Sequence, residues 1–201
     1  MGNTQTFNNV KLGVFQLAKN DSSLNGDAYF CTESNDYFIC AVADGLGSGL
    51  YAYEASKVVM DYIRKNHHEQ LPYLMENCNR LVVNKRGVVL SILKVDYINK
   101  EVLYSNTGNI TCSFYSPDGL LTRTIPKRGF LSGRKTSYPI QRLPYKPGLR
   151  FIMYTDGVVL KSSWQRAIAK ESCVGEVISI VKKLVPQHED DLTFLVGDVS
   201  S

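Results

Sequence analysis

Between Gly87 and Pro126 four strand-like stretches follow one another: "GVVLSILKVDY", "EVLYSNTG", "NITCSFYSP" and "LLTRTIP". No helical segment separates them. Parallel neighbours need a crossover of about a dozen residues or more, and these gaps are far shorter, so the region must pair antiparallel. "PDG" at 117–119 is the turn that closes the last two into a hairpin. The N-terminal part repeats the pattern with "KLGVFQLAK", "DAYFCTE" and "DYFICAVAD". Two later stretches, "GLRFIMYTDG" and "DLTFLVGDV", add further strands. Helical signals stay apart from these runs. Leu50, Ala52, Ala55, Val58, Val59, Tyr62 and Ile63 recur at three and four residue spacing, which predicts a helix over 50–66. Pro72 suits the first turn of a second helix through about Val83. Residues 162–185 read as helical with a break around Ser172–Gly175, and Pro126 to Lys146 reads as loop. Runs of strands with segregated helices predict an α+β fold of antiparallel sheets covered by helices. Strict β-α-β alternation is missing, which excludes a doubly wound parallel sheet.

The chain has 201 residues, enough for one domain over 1–201 with its core at about 12–197. No apolar run reaches the roughly 20 residues of a membrane helix, so no membrane partner is expected. The opening "MGNTQTFNNV" lacks a basic segment followed by an apolar one, so no secretory signal is expected there. Gly2 and Thr6 loosely match a myristoylation pattern; the plainer expectation is a disordered lead-in. The five cysteines form no C-x-x-C; they read as buried small hydrophobes of a cytoplasmic protein, not as disulfides or a zinc site. A net charge of +4 permits an anionic partner without requiring one. "RTIPKRGFLSGRK" (123–135) gathers Arg123, Lys127, Arg128, Arg134 and Lys135 around a single aromatic, Phe130. It reads either as a recognition edge for an acidic phosphoprotein or as a solvated loop. Nucleic acid is not an expected partner, because the patch is short and nearly free of stacking residues. His67, His68 and His188 lack ligand spacing and read as surface residues.

Chemistry concentrates in acidic residues at strand ends. Asp27 opens a strand in "GDAYF", Asp44 ends one in "VADGLGSG", Asp156 ends one in "YTDG", and Asp190 and Asp191 precede the last in "DDLT". A carboxylate at a sheet rim is held by the strand behind it while its head stays accessible. Several converging from different strands make an all-oxygen site, the chemistry that Mg²⁺ and Mn²⁺ prefer. Glycine after Asp44 allows the chain to turn so that the Gly45 carbonyl can join the carboxylate, and Gly47 and Gly49 allow a tight loop into the helix. "DG" at 156–157 repeats the device.

In this order the four motifs resemble the metal-dependent PPM (PP2C-type) serine/threonine protein phosphatases, and specifically their compact bacterial SpoIIE-type branch. The resemblance implies a β-sandwich of two antiparallel sheets flanked by α-helices, with two Mn²⁺ or Mg²⁺ ions at one end. It implies that Asp44 bridges both ions, that Asp27 and the Gly45 carbonyl serve one, and that Asp156 and Asp190 serve the other. Asp191 stands where many relatives have asparagine and ranks below Asp190 as a ligand. The implied activity is hydrolysis of phosphoserine or phosphothreonine on regulatory, stressosome-like proteins by a metal-activated water, in a monomer.

Two departures stand out. Larger relatives carry a phosphate-gripping arginine shortly before the first aspartate, where this chain has "KNDSSLNG" with Lys19 alone. They also have a Gly-Asp pair supporting a third metal where this chain has "NTGNI", with Asn109 in that place. Two other readings compete. A GHKL-type ATP-binding regulator has a similar glycine box, but needs an asparagine-bearing helix upstream and a glycine-rich lid. A catalytically weak phosphatase fold that binds phosphoproteins differs from the main reading in turnover alone.

Overall fold

The computed structural model describes residues 2–185 and 190–200; His188 lies outside them. Two antiparallel sheets carry the fold. The first runs in the order β1 (Gly2–Thr6), β2 (Val10–Leu17), β11 (Leu192–Val199), β10 (Leu149–Tyr154), β7 (Thr111–Tyr115), β8 (Leu121–Arg123). The second runs β3 (Asp27–Glu33), β4 (Tyr37–Gly45), β5 (Val88–Asp96), β6 (Glu101–Thr107), β9 (Gln141–Pro144). Helices α1 (Leu50–Asn66) and α2 (Leu71–Leu81) cover the second sheet; α3 (Ser162–Lys170) and α4 (Val174–Leu184) cover the first.

Strand periodicity produces the four layers. Along β4, Phe38, Cys40 and Val42 face the other sheet, while Ile39, Ala41 and Ala43 face α1 and α2. Both faces are covered, which is why the strand reads as a continuous apolar run. In the first sheet Phe151, Met153 and Leu195 join the inter-sheet core, and Ile152, Phe194 and Val196 pack under α4 with Val177, Ile178 and Val181. Each helix contributes a single apolar stripe: Ala55, Val59 and Ile63 from α1, and Leu71, Leu74, Met75 and Cys78 from α2. Pro72 sits in the first turn of α2, as its fixed φ favours.

Two expectations fail at the sheet edges. The opening "GNTQT" is not disordered: it forms β1, paired with β2 in the register Gly2↔Phe15 to Thr6↔Lys11. Its residues are polar because an edge strand there can leave side chains in water. The stretch read as loop contains β9, which pairs with β6 from Glu101↔Pro144 to Tyr104↔Gln141. Pro144 is tolerated because β9 is an edge. All the cysteines are free; Cys40, Cys78 and Cys112 are buried, Cys31 is partly so, and Cys173 is exposed. His67 is half-buried and its Nδ1 hydrogen-bonds the Tyr37 hydroxyl at 2.8 Å; His68 is exposed.

One part-buried ion pair ties α3 to its sheet. Arg150 donates to Asp198 through Nε (2.6 Å) and Nη2 (2.8 Å), and through Nη1 to the carbonyls of Ile168 and Glu171. Removing one partner of such a pair strands the other charge. Arg150→Leu is expected to cost about 3 kcal/mol, read as a fall of roughly 6–12 °C in Tm by circular dichroism. Adding Asp198→Leu is expected to recover part of that loss.

Candidate metal centre

The rows that fill the inter-sheet core turn polar at one end of the sandwich. On β4 the row Phe38, Cys40, Val42 continues to Asp44. On β3 the row Cys31, Tyr29 continues to Asp27, and the two aspartates face each other across the strand pair. On β10 the row Leu149, Phe151, Met153 continues to Thr155, and on β11 the row Val199, Leu195 continues through Thr193 to Asp191. Period-two alternation therefore delivers polar groups from both sheets to one cleft.

Hydrogen bonds then fix most of them. Thr155 Oγ1 accepts the Thr193 N–H at 2.9 Å and donates to Asp27 Oδ2 at 2.7 Å, joining the sheets. Gln16 Nε2 donates to Thr193 Oγ1 at 2.9 Å and to the Asp27 carbonyl at 3.2 Å. Asp191 accepts two main-chain N–H groups, Lys19 on Oδ1 and Gly26 on Oδ2, both at 2.9 Å. Asn109 Nδ2 donates to Asp156 Oδ2 at 2.8 Å. Asp190 Oδ1 accepts the N–H of Asp191. Asp44 differs: among the described residues no hydrogen bond or ion pair satisfies its half-buried carboxylate.

Glycines allow these close approaches. Gly45 remains extended at the end of β4, opposite Val88, and does not turn the chain as expected. Its role is steric: a Cβ there would collide with the carbonyl of Ala52 on α1. Gly157 has the same relation to the Asp191 carbonyl. The turn comes later, at Gly47 and Gly49, both with positive φ.

The electrostatics follow from burial and crowding. Burial pushes the Asp44 carboxyl up to about 8, and Asp27, Asp156, Asp190 and Asp191 push it the same way. Burial also raises Asp27, to about 7; the hydroxyls of Thr155 and Thr193 oppose that rise, while Asp191 and Asp156 add to it. Five carboxyl groups thus share one end of the sandwich, and among the described residues no lysine or arginine pairs with any of them.

A cation fits this donor set. As placed, no three His, Cys, Asp or Glu side chains among the described residues converge into a cage. Mg²⁺ does not require one, since it keeps several waters and takes one or two carboxylates. The unsatisfied Asp44 carboxylate is the group such an ion would complete.

All six residues singled out in the sequence lie at this end. Thr155, Thr193 and Gln16 were missed there. Counting back by two from the apolar rows, as in Phe151, Met153, Thr155, would have found them. Arg86 lies against the glycine loop. A Cβ on Gly47 would stand 2.6 Å from its Nη1, and its guanidinium lies 5.0 Å from the Tyr51 ring centre. Lys19 contributes its main-chain N–H to the Asp191 clamp.

Comparison with known proteins identifies the family and the fold. The SpoIIE family (Stage II sporulation protein E) matches residues 34–200. The phosphoserine phosphatase RsbX of Bacillus subtilis (strain 168) is 34% identical over 187 residues, covering 93% of this chain and 94% of that protein. A crystal structure of RsbX in complex with magnesium superposes with a TM-score of 0.94 at 32% identity, over 100% of both chains. The catalytic domain of the serine/threonine phosphatase PstP, in complex with two manganese ions, shares the fold at a TM-score of 0.76 and 14% identity, over 96% of this chain and 99% of that one. With its α+β sandwich and its acidic strand ends, this chain belongs to the SpoIIE family of PP2C-fold proteins.

Proposed function

We propose that the chain is a Mn²⁺- or Mg²⁺-dependent phosphatase that hydrolyses phosphoserine or phosphothreonine on regulatory proteins of the stressosome kind. The observation that carries this reading is Asp44: a half-buried carboxylate, raised to about 8, among four other acids and without a hydrogen-bond donor among the described residues. Such a group calls for a cation. In this reading Asp44, Asp27 and the Gly45 carbonyl would hold one ion, and Asp44, Asp156 and Asp190 the other. Once bound, a pair of such ions polarises water and offsets phosphoryl charge.

The remaining work belongs to the chain's own side chains. Thr155 holds Asp27 through Oδ2, with the Thr193 hydroxyl also acting on its carboxyl. Asn109 orients Asp156 in the same way. Asp191 has both oxygens taken by main-chain N–H groups, so its proposed part is to clamp Gly26 against the last strand and hold Asp27 in place. The RsbX relative, named a phosphoserine phosphatase, supports the substrate class.

Mn²⁺ is expected to support phosphate release from p-nitrophenyl phosphate and from a phosphoserine protein, and excess EDTA to abolish both. Asp44→Asn and Asp156→Asn are expected to lower kcat by on the order of 10²-fold or more while the proteins stay folded. Near-wild-type turnover by Asp44→Asn would overturn the assignment; metal binding without turnover would favour a binder.

Stability in EDTA carries a second expectation. Asp44 and Asp27 titrate near 8 and 7 when folded, against about 3.8 when unfolded. Between those values the folded state holds more protons, so its stability falls as pH rises. The Tm in EDTA is expected to drop from pH 5 to pH 8, and to drop less in Asp44→Asn. A Tm that rises with pH over that window would contradict the burial of these groups.

A further inference from the structure

Beside the carboxylates lies a surface cavity of about 450 Å³, walled by Leu46, Val89, Pro126, Phe130, Arg128 and Asn109 among others. Two of its lining residues adjoin the acidic cleft. Leu46 follows Gly45 directly, and Asn109 donates to Asp156. Its outer wall is the segment read in the sequence as either a recognition edge or a solvated loop.

The segment is anchored on both sides of its tip. The Ile125 N–H donates to Gln141 Oε1 at 2.9 Å, and the Lys127 N–H to the buried Asn106 Oδ1 at 3.0 Å. Leu131, fully buried, bridges to Val88 through two main-chain bonds of 2.8 and 3.1 Å. Asn79, buried on α2, accepts from the N–H groups of Ser132 and Gly133 and donates to the Arg134 carbonyl. The Lys127 ammonium is bonded to Thr136 and Ser137, and Arg123 to Gln165. Between these anchors, no hydrogen bond or ion pair among the described residues involves Arg128, and Phe130 is 46% exposed. A solvated loop would not be anchored by two buried asparagines. Its anchored main chain carries Arg128 and Phe130 at a mostly apolar cavity.

Resting on the phosphatase reading above, we infer that this cavity seats an apolar side chain next to the phosphorylated residue of a protein substrate, with Arg128 pairing with an acidic group beside it. Charge complementarity selects the occupant. Segment 123–135 carries five cations and no acid, whereas the cleft next to it is acidic and unpaired. A flanking acid on the substrate avoids that cleft by turning towards Arg128. A cavity of this size holds one or two side chains, and its walls are mostly apolar.

The test uses two phosphoserine peptides, one with leucine and two glutamates flanking the phosphoserine and one with glycines there, together with p-nitrophenyl phosphate. Arg128→Glu is expected to lower kcat/KM on the acidic peptide about tenfold, chiefly through KM. It should change turnover of the glycine peptide and of the aryl phosphate by less than about twofold. Phe130→Ser should show the same preference for damaging the leucine-containing peptide. Equal loss on all three substrates, or no loss on any, would overturn the inference. A wild-type protein that releases no phosphate from p-nitrophenyl phosphate with Mn²⁺ would refute the phosphatase reading instead. The cavity is then decided by fluorescence anisotropy with the labelled, unphosphorylated acidic peptide: about tenfold weaker binding by Arg128→Glu supports it, and an unchanged Kd overturns it.

Discussion

A hydrogen bond from Thr155 Oγ1 to Asp27 Oδ2 joins the two sheets at the end where the carboxylates gather. Elsewhere the sheets meet through apolar side chains, which are non-directional and allow small slips. This bond is directional and short, and it is itself fixed. Thr155 accepts from the Thr193 N–H, so its own proton is free to point across the gap. Gln16 then fastens Thr193 to the Asp27 carbonyl. The chain of contacts fixes Asp27 against β10 and β11, the strands next to Asp156 and Asp190. The proposed two-sheet metal site depends on that placement.

The cost of the arrangement is electrostatic. Burial and like charge both raise Asp27 and Asp44, so the cleft destabilises the folded chain at neutral pH unless something positive enters it. The sequence contains arginines and lysines that could have neutralised it, yet they are used elsewhere. Arg150 pairs with Asp198 beneath α3, Lys85 with Glu54, and Arg142 with Glu101. Charge is left unpaired where a cation is proposed to bind.

Much of this was readable beforehand, for physical reasons. Strands that are apolar on both faces advertise themselves, and so β4, β5, β10 and β11 fall where the sequence places them. Helix α1 spans Leu50–Asn66, as its three-and-four spacing predicts. Two of the edge strands were not readable. β1 is "GNTQT", without one large apolar residue, and β9 is "QRLP", ending in proline; both are ordered by a neighbour's ladder rather than by their own pattern. The acids were visible as Asp-Gly and Asp-Asp at strand ends. Their supports were not, because Thr155, Thr193 and Gln16 are ordinary residues within strands and their roles arise when two distant sheets meet.

The same distinction explains the basic segment. Its composition left recognition and solvation equally open, since arginines on a loop suit either. The anchors that separate the two lie elsewhere in the sequence: Asn79 on α2, Asn106 on β6 and Val88 at the start of β5. A buried asparagine must satisfy both an oxygen and an amide, so placing one in a helix face is costly unless it bonds to something fixed. Asn79 meets that condition by bonding to three consecutive residues of the segment, Ser132 to Arg134. Rigidity of this kind is retained where a surface has to present the same shape each time, and the shape it presents here adjoins the acidic cleft.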